Sequence, residues 1–484
     1  MIIMISNSYK SLYIPILLLI LAFSSCKAPG LVQKEVDMSA LPTQYAGKTQ
    51  RDTINSALIN WKEYFTDPYL AKLIDSALVH NQELNMMLQE IAISKSEIRA
   101  KKGEYLPFVG FGAAAETEKV GRYTSQGAND ANTEIKEGVE FPEPLPNYKF
   151  GLQATWELDI WGKLRNAKKA AVLNYLSSVE GRNFMVTQLV GEIAQSYYEL
   201  LALDNQLAIV NRNIEIQGNA FRIVKLQKEA AKATGLAVSK FEAEVLSTRS
   251  LQYEIQQQIT ETENRINFLV GRFPQPVERT AVSFMEIKPA MLNAGIPTQL
   301  LENRTDVKQA ELALQAAKLD VKVAKARFYP SLGISAGVGF EAFKPKFLLN
   351  SPESLLYSIA GELTAPLINR NEIKAAYIGA NAKQIQAVYD YEQTVLNAYI
   401  EVANQLAKVS NLEKSYDLKT QQVAALNRSV DIAGQLFGSA RADYMEVLMT
   451  QRDALESNFD LVETKVAQLN AYVQLYQALG GGWN

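Results

Sequence analysis

One cysteine and one histidine occur in 484 residues. That scarcity removes a disulfide framework, a Cys/His metal cluster and a Ser-His-Asp triad, so any catalysis would fall to carboxylates, Lys, Ser or Tyr. Glycine and proline are sparse too, at 26 and 16 residues, which favours long uninterrupted helices. No basic excess points to nucleic acid: 49 Lys and Arg stand against 52 Asp and Glu, a net charge of −3. No apolar run can cross a bilayer as a helix. Ile14 to Phe23 has about half of the ~20 residues required, and later candidates are interrupted by charge. What is present is apolar material, 48% of the chain with 21% charged. That suffices for a large core and excludes a mostly disordered chain. At about 150 residues per domain the length allows two to four domains.

Lys10 ahead of the Ile14 to Phe23 run and Ser24-Ser25-Cys26 behind it give residues 1–25 the layout of an export signal. Small residues before the only cysteine resemble a bacterial lipoprotein cleavage box. That resemblance makes Cys26 the first mature residue, with a thioether-linked diacylglycerol and an N-acyl chain. Several acyl chains, at about 0.8 kcal/mol per buried methylene, anchor a chain stably.

The rest of the chain repeats one pattern at a spacing of roughly 210 to 220 residues. Glu104-Tyr105-Leu106-Pro107-Phe108-Val109-Gly110 has a partner in Arg327-Phe328-Tyr329-Pro330-Ser331-Leu332-Gly333. Trp156 to Lys163 has a counterpart at Ala365 to Asn371, each opening a very long helical stretch. Thr234 to Ser239 matches Ser439 to Glu446, each a weak helix break. Leu269-Val270-Gly271 and Ala478-Leu479-Gly480 close the halves. Each half therefore reads helix, strand, loop, strand, long helix, turn, long helix. Pro274, Pro276, Pro289 and Pro297 mark residues 272–297 as a connector.

The helical stretches carry coiled-coil seams. Val462, Val466, Leu469, Val473 and Tyr476 step by four and three, as do Ile255, Ile259, Thr262, Ile266 and Leu269. No proline lies between Gly162 and Thr234, so one helix of about 70 residues, on the order of 100 Å, fits there. Residues 371–438 allow another. Strand periodicity is as plain. Tyr148, Phe150, Leu152, Ala154, Trp156 and Leu158 alternate with Lys149, Gly151, Gln153, Thr155 and Glu157. Leu332 to Phe340 and Tyr357 to Ala365 alternate likewise, and Val109 to Glu118 more weakly. Such alternation suits a tilted membrane strand or a soluble sheet with one wet face. The export signal and the aromatic strand ends favour the membrane. Four strands cannot close a barrel, and lipid does not tolerate open edges, so closure requires several chains; three supply twelve strands around a polar lumen. The loops Val120 to Asn147 and Lys344 to Ser354 would then face outside.

This layout closely resembles the TolC/OprM family of outer-membrane efflux proteins, in particular its lipoprotein branch of RND-type outer-membrane factors. The resemblance spans roughly residues 55 to 483. It rests on Trp61, Phe65, Asp67, Leu70, Leu73, Ala77, Leu78, Asn81 and Leu84; on Trp156-Glu157-Leu158-Asp159-Ile160-Trp161-Gly162-Lys163-Leu164-Arg165; on Asp443-Tyr444-Met445-Glu446-Val447-Leu448 with Gln451-Arg452; and on Ala478-Leu479-Gly480-Gly481-Gly482-Trp483. It implies a mainly α chain with membrane β: a homotrimer with a twelve-stranded barrel continued by a long coiled-coil periplasmic tunnel. The parts become a signal (1–25), a lipidated linker and equatorial segment (26–60), a first repeat (61–271) and an equatorial connector (272–297). A second repeat (298–479) and a tail (480–484) follow. Strands are placed near 105–118, 147–158, 331–343 and 355–366, and hairpins at 162–271 and 371–479. A periplasmic adaptor and an inner-membrane pump of the RND type are the implied partners, with outer-membrane lipid and no nucleic acid. No cofactor is implied beyond the lipid on Cys26.

The resemblance also places a periplasmic gate near the second hairpin turn. By motif, Tyr444, Met445, Glu446 and Met449 fall at the constriction, where three copies of Glu446 would attract cations. Met449 replaces a frequent second acid. Ala442 and Lys240 replace an Arg and an Asp that lock neighbouring hairpins in some relatives, so Lys240 is expected to pair with Asp443 or Glu446 in reversed polarity. The turns Thr234-Gly235-Leu236 and Ser439-Ala440-Arg441 are the expected adaptor contacts; Ala440 stands where the family commonly has Gly. A lipid-anchored coiled-coil adaptor or structural protein is the alternative, and it would lack the four strands. Glu242, Glu244, Glu261 and Glu263 suggest a carboxylate enzyme only until their neighbours, Lys, Arg and Gln, mark a solvated helix face. His80 has no partner motif. Met86-Met87 and Met445 with Met449 raise copper export, since thioethers suit Cu(I), but ordinary packing accounts for them.

Overall fold

The structure is a computed structural model and describes residues 28–32, 34–37, 41–45, 55–280, 284–289, 292–439 and 441–483; Cys26 and Ala440 lie outside them. Helices α1 (Trp61–Tyr64), α2 (Pro68–His80) and α3 (Gln82–Glu104) lead into β1 (Phe108–Glu118). Next come a short helix α4 (Ser125–Asp130), a ribbon of β2 (Glu134–Lys136) and β3 (Val139–Glu140), then β4 (Leu145–Leu158). The long helix α5 (Lys163–Glu229) turns into α6 (Gly235–Val270). After α7 (Leu300–Asn303) and α8 (Thr305–Ala326) follow β5 (Ser331–Ala342) and β6 (Leu355–Thr364). The second long helix, α9 (Asn371–Gly438), turns into α10 (Tyr444–Ala478). Helices α5 and α9 have 67 and 68 residues without a proline. The stretch expected as an outer loop, 120–147, is not plain loop. Thr124 caps α4 by accepting from the Gly127 N–H at 3.1 Å, and Gly138 (φ 71°) turns the ribbon, local bonds that leave no hydrophobic period.

The described residues divide into two compact units: those of Met1–Glu35, Ala92–Leu176 and Leu312–Val388, and those of Val36–Ile91, Ser177–Glu311 and Tyr389–Asn484. The first unit holds an antiparallel sheet in the order β1-β4-β5-β6. Its register runs from Phe108 opposite Thr155 to Glu118 opposite Leu145, from Tyr148 opposite Ala342 to Leu158 opposite Leu332, and from Ser331 opposite Thr364 to Phe340 opposite Leu355. At the β4–α5 junction the chain leaves a two-residue period for one of 3.6. Gly162 (φ 72°) makes the bend. The Asp159 side chain, 2% exposed, accepts from the Leu164 and Arg165 backbone N–H groups at 2.9 Å each and from Arg165 Nε at 3.1 Å. Burial raises its pKa, but these N–H groups and the guanidinium outweigh burial and hold the carboxyl below its ordinary value. Trp161 Nε1 donates to the Pro330 carbonyl (2.7 Å) and its ring lies 4.8 Å from that of Tyr329. Trp156 Nε1 donates to the Tyr105 carbonyl (3.1 Å). Phe328, Tyr377 and Ala324 form the apolar centre, and Asn381 and Gln384 side chains donate to the Val32 and Lys34 carbonyls.

The second unit is helical and carries the main core. Leu70, Ile74, Leu84, Ile193, Tyr197, Leu200, Ile266 and Tyr476 are fully buried there. Asp67 caps α2 by accepting from the Tyr69 N–H (2.8 Å), while its other oxygen accepts from the Tyr197 hydroxyl (3.0 Å). Each hairpin ends against a break between two helices. Asn81, extended between α2 and α3, donates to the Leu269 carbonyl (2.9 Å). Arg304, extended between α7 and α8 and 5% exposed, donates to the Ala478 carbonyl (3.0 Å) and pairs with Asp306 and Glu401 (2.6 Å each). Gly271 (φ 77°) and Gly480 (φ 97°) follow the hairpins, and a Cβ there would lie 2.3 Å from the His80 oxygen and 2.6 Å from the Asn303 oxygen. Only glycine meets both the left-handed backbone and the close approach. The connector is held by Arg279, which pairs with Asp204 and Glu263 at 2.5 Å.

Asp159→Ala removes a buried helix cap, an expected loss of about 1 kcal/mol in thermal unfolding in detergent. The lowered carboxyl fixes the pH dependence. Its contribution is full above the unfolded value of about 4 and is lost as pH falls through the lower folded value. The stability gap between wild type and variant should therefore be open at neutral pH and close in strong acid.

Candidate functional site

Two surfaces of this chain carry side chains that a solitary soluble domain would not present. One is the apolar face of the sheet. Val109, Phe111, Leu152, Val338, Tyr357, Ile359 and Leu363 lie on that face by register and are exposed, Tyr357 by 78% and Ile359 by 81%. Phe111, Phe150 and Phe340 form a row across three strands, with ring centres 6.4 and 5.6 Å apart. The opposite face carries Lys149, Gln153, Thr155, Glu157 and Glu341 among glycines. Lys149 pairs with Glu116 (3.1 Å) and Glu157 with Lys163 (2.5 Å). A cavity of about 370 Å³ lined by Gly112, Gly151, Gln153, Ser335 and Gly339 lies on the sheet. Strands β1 and β6 are its edges.

The other surface is the tip where α5 meets α6 and α9 meets α10. Both turns close the same way: Lys232 N donates to the Gln227 carbonyl (2.7 Å) and Arg441 N to the Leu436 carbonyl (2.8 Å). Thr234 caps α6, accepting from the Ala237 N–H (3.2 Å). Asp443 stands at the α10 N-cap without a side-chain bond to the helix. The helices are joined by an apolar cluster of Ala220, Val224, Ala237, Phe241, Phe437 and Val447, with Tyr444, Ala442 and Leu448 packed against it. The Phe241 and Phe437 ring centres are 6.0 Å apart. A cavity of about 410 Å³ lies between the turns, lined by Lys232, Thr234, Phe437, Asp443 and Tyr444 among others.

The residues expected at the constriction divide by helical phase. Met445 (39%), Met449 (49%) and Glu446 are exposed on one side of the first turns of α10, whereas Tyr444 turns toward the apolar cluster. Gly235, Leu236, Ser439 and Arg441 are exposed with Thr234 at the turns. Lys240 and Asp443 are exposed, and no ion pair joins them, or Lys240 and Glu446, among the described residues of the chain. The contact that holds the hairpin tips together within the chain is aromatic. Sequence reasoning missed Phe241 and Phe437 because neither breaks a pattern; each looks like one more seam residue.

A polar layer was missed as well. Below the tip cluster, Asn213 Nδ2, both amide atoms of the fully buried Gln217, and Gln451 Oε1 are buried without partners. Asn213 and Gln451 line a cavity of about 180 Å³ together with Asn427 and Asn458. Buried amides of this kind are ordinarily satisfied by water. Their signal in the sequence is Asn and Gln at seam positions of otherwise apolar stripes.

No group of three or more His, Cys, Asp or Glu side chains placed to hold a metal ion occurs among the described residues, and no helix there is long and apolar enough to cross a membrane. An exposed apolar sheet face on a mainly helical chain marks a surface that meets lipid or another protein. The chain belongs to the outer membrane efflux protein family, whose sequence model matches residues 73–272 and 296–481. It is an outer-membrane efflux channel, a family of channel proteins and not of enzymes. Among its relatives, the cation efflux system protein CusC of Escherichia coli is 26% identical over 447 residues, 92% of this chain and 93% of that protein. The pyoverdine export outer membrane protein OpmQ of Pseudomonas aeruginosa is 26% identical over 444 residues, 92% of each. A crystal structure of CusC superposes with a TM-score of 0.79 at 25% identity, covering 94% of this chain and 99% of that one. The open state of the Neisseria gonorrhoeae MtrE channel shares the fold, with a TM-score of 0.82 at 23% identity over 95% and 98%. With the family established, the adaptor alternative is set aside.

Phe241→Ala should cost about 3–5 kcal/mol locally, as for other buried rings. Hydrogen exchange of the segments around Phe437 and Val447 should accelerate, while Lys240→Ala leaves exchange within the chain unchanged.

Proposed function

We propose that three copies of this chain close a twelve-stranded barrel and form a passive exit duct from periplasm to exterior, driven by an inner-membrane pump of the RND type through a periplasmic adaptor. The observation that carries this reading is the four-stranded sheet with one exposed apolar face and two unpaired edges. In hydrocarbon, unpaired backbone groups cost several kcal/mol each, so β6 of one copy must pair with β1 of the next. The polar, glycine-rich face then lines the lumen, and Trp156, Trp161 and Tyr329 fall near the periplasmic border, where aromatic belts sit. The two hairpin closures, at Gly271 and at Gly480, support two structural repeats, 61–271 and 298–479, joined by the connector 272–297. Cys26 is lipidated and anchors the chain on the periplasmic side of the outer membrane, with 26–60 as the linker.

At the tip, Met445, Glu446 and Met449 line the constriction, and Tyr444 braces them from behind. Carrying Glu446 three times, the ring prefers cations. Lys240 meets Asp443 or Glu446 of a neighbouring copy and locks the closed tip. Adaptor hairpins seat against Thr234, Gly235, Leu236, Ser439, Ala440 and Arg441. The export names of the relatives, a cation efflux system and a pyoverdine export protein, support a duct whose cargo is set by its pump.

Native mass spectrometry of the detergent-extracted protein should show a trimer of chains beginning at Cys26, each with added acyl mass. A monomer with a free thiol would overturn both closure and anchoring. In planar bilayers Glu446→Gln should reduce cation selectivity and Met449→Ala should raise conductance. If Lys240→Glu leaves conductance unchanged, there is no lock.

A further inference from the structure

The duct leaves one set of charged side chains without a role. At the loop end of the sheet, Lys136 of β2 sets its ammonium 4.6 Å from the centre of the Phe347 ring. Lys346 reaches the same ring at 4.9 Å, and Lys344 lies 5.4 Å from the Phe343 ring. The two rings are 5.4 Å apart. The patch is built by folding, since the ribbon between β1 and β4 supplies one lysine and the β5–β6 loop the other two. In that loop a short helical turn, Pro345–Phe347, fixes Lys346 beside Phe347.

None of the three lysines is ion-paired among the described residues. Of the acids in the same loops, Glu134 accepts from the Gly138 N–H (2.8 Å), Glu143 pairs with Arg122 (2.6 Å) and Glu341 accepts from the Asn147 amide (2.5 Å), and no ion pair joins Glu137, Glu140 or Glu353 to the three lysines among the described residues. Like charges gathered on two rings repel, and a ring face at an exposed site offsets little of that. Each ammonium uses one direction for its ring and leaves the others open. A phosphate ester, doubly charged at most and rich in acceptor oxygens, would compensate several ammoniums together. The patch begins one residue past Ala342, the last of β5, so it sits where the apolar strand face gives way to loops. Leu349, two residues past Phe347 in the same loop, is exposed. Cations directly bordering an apolar face suit an amphiphile with an anionic head.

We propose that Lys136, Lys344 and Lys346, with Phe343 and Phe347, form a binding site for the phosphorylated headgroup of an outer-leaflet lipid. The proposal rests on the reading of the loops Val120 to Asn147 and Lys344 to Ser354 as facing outside. Occupied by lipid, the site ties the two loops to one another and to the leaflet around the barrel mouth.

The test uses the full chain, extracted in detergent and stripped of lipid, with diphosphorylated lipid A as probe in native mass spectrometry. Wild type should retain lipid A, bind the monophosphorylated form more weakly and ignore phosphatidylcholine. The triple variant K136Q/K344Q/K346Q should lose binding by at least about tenfold, whereas the corresponding triple Lys→Arg variant keeps it. Equal thermal midpoints and equal oligomer mass for all three proteins remove misfolding as a cause. Equal retention by the Gln variant overturns the proposal. So does displacement by inorganic phosphate at concentrations equal to the lipid, which would mark a small-anion site. A separate arm checks the side of the membrane. Tyr123 in the same loop region is fully exposed, so Tyr123→Cys should react with a membrane-impermeant maleimide on intact cells. Absence of labelling removes the outer-leaflet assignment and the loop orientation together. A labelled, conducting trimer that does not bind lipid A overturns this inference and leaves the duct standing.

Discussion

Two rows of unpaired backbone N–H and C=O groups, along β1 and β6, constrain everything else in this chain. A sheet with one apolar face has to place that face against hydrocarbon or against another protein layer. No helix of the described residues packs as such a layer over Tyr357 and Ile359, which stay open. In lipid the face is satisfied but the edges are not. In the proposed trimer, edge-to-edge closure resolves both demands with no new element. The polar face would then point inward, in keeping with the glycines, Gln153, Ser335 and paired charges opposite the Phe row.

The strand-to-helix junction is the second place where physics dictates identity. Leaving β4, the chain exposes the first N–H groups of a 67-residue helix. Asp159 meets that need with one carboxylate for two N–H groups and an arginine. Trp161 then ties this junction to the carbonyl of Pro330 at the head of β5, so the start of α5 is fastened to the next strand of the sheet. The motif running from Trp156 to Arg165 is thus a set of mechanical fasteners rather than a ligand site.

Periodicity made most of the fold legible. Alternation along Tyr148 to Leu158 and Leu332 to Phe340 located the strands within a few residues, because a face exposed to lipid must be apolar at every second position. Heptads and the lack of proline located the long helices. What stayed hidden depends on contacts between distant residues or on purely local bonds. The short helix α4 is held by a Thr124 cap and the ribbon after it by a turn at Gly138, neither of which carries an apolar period. At the tip, charge drew attention to Lys240 and Asp443, whereas the contact within the chain is Phe241 against Phe437, far apart in sequence. The lysine patch was invisible for the same reason: its three members are unremarkable singly and acquire meaning only where the ribbon meets the β5–β6 loop.

The distribution of buried side chains says where such a duct can move. Within the helical unit, the core around Ile193 and Tyr197 gathers 25 buried apolar residues, while the tip cluster has six. Local opening costs free energy in proportion to the apolar surface it exposes, so the tip is the low-stability end of this unit. Between the two lies the layer of Asn213, Gln217 and Gln451, whose amides find no protein partner. A dry seam would resist separation at every step, since each residue pulled apart would leave a void or admit water. Where these amide atoms have no protein partner, parting the seam breaks no hydrogen bond of theirs. The tip cluster is therefore the first to part, and on the core side of the amide layer a further apolar cluster, Leu203, Val210 and Ile255, opposes separation before the main core is reached. Opening that starts at the tip leaves the far ends of both hairpins held, where Asn81 binds the Leu269 carbonyl and Arg304 the Ala478 carbonyl.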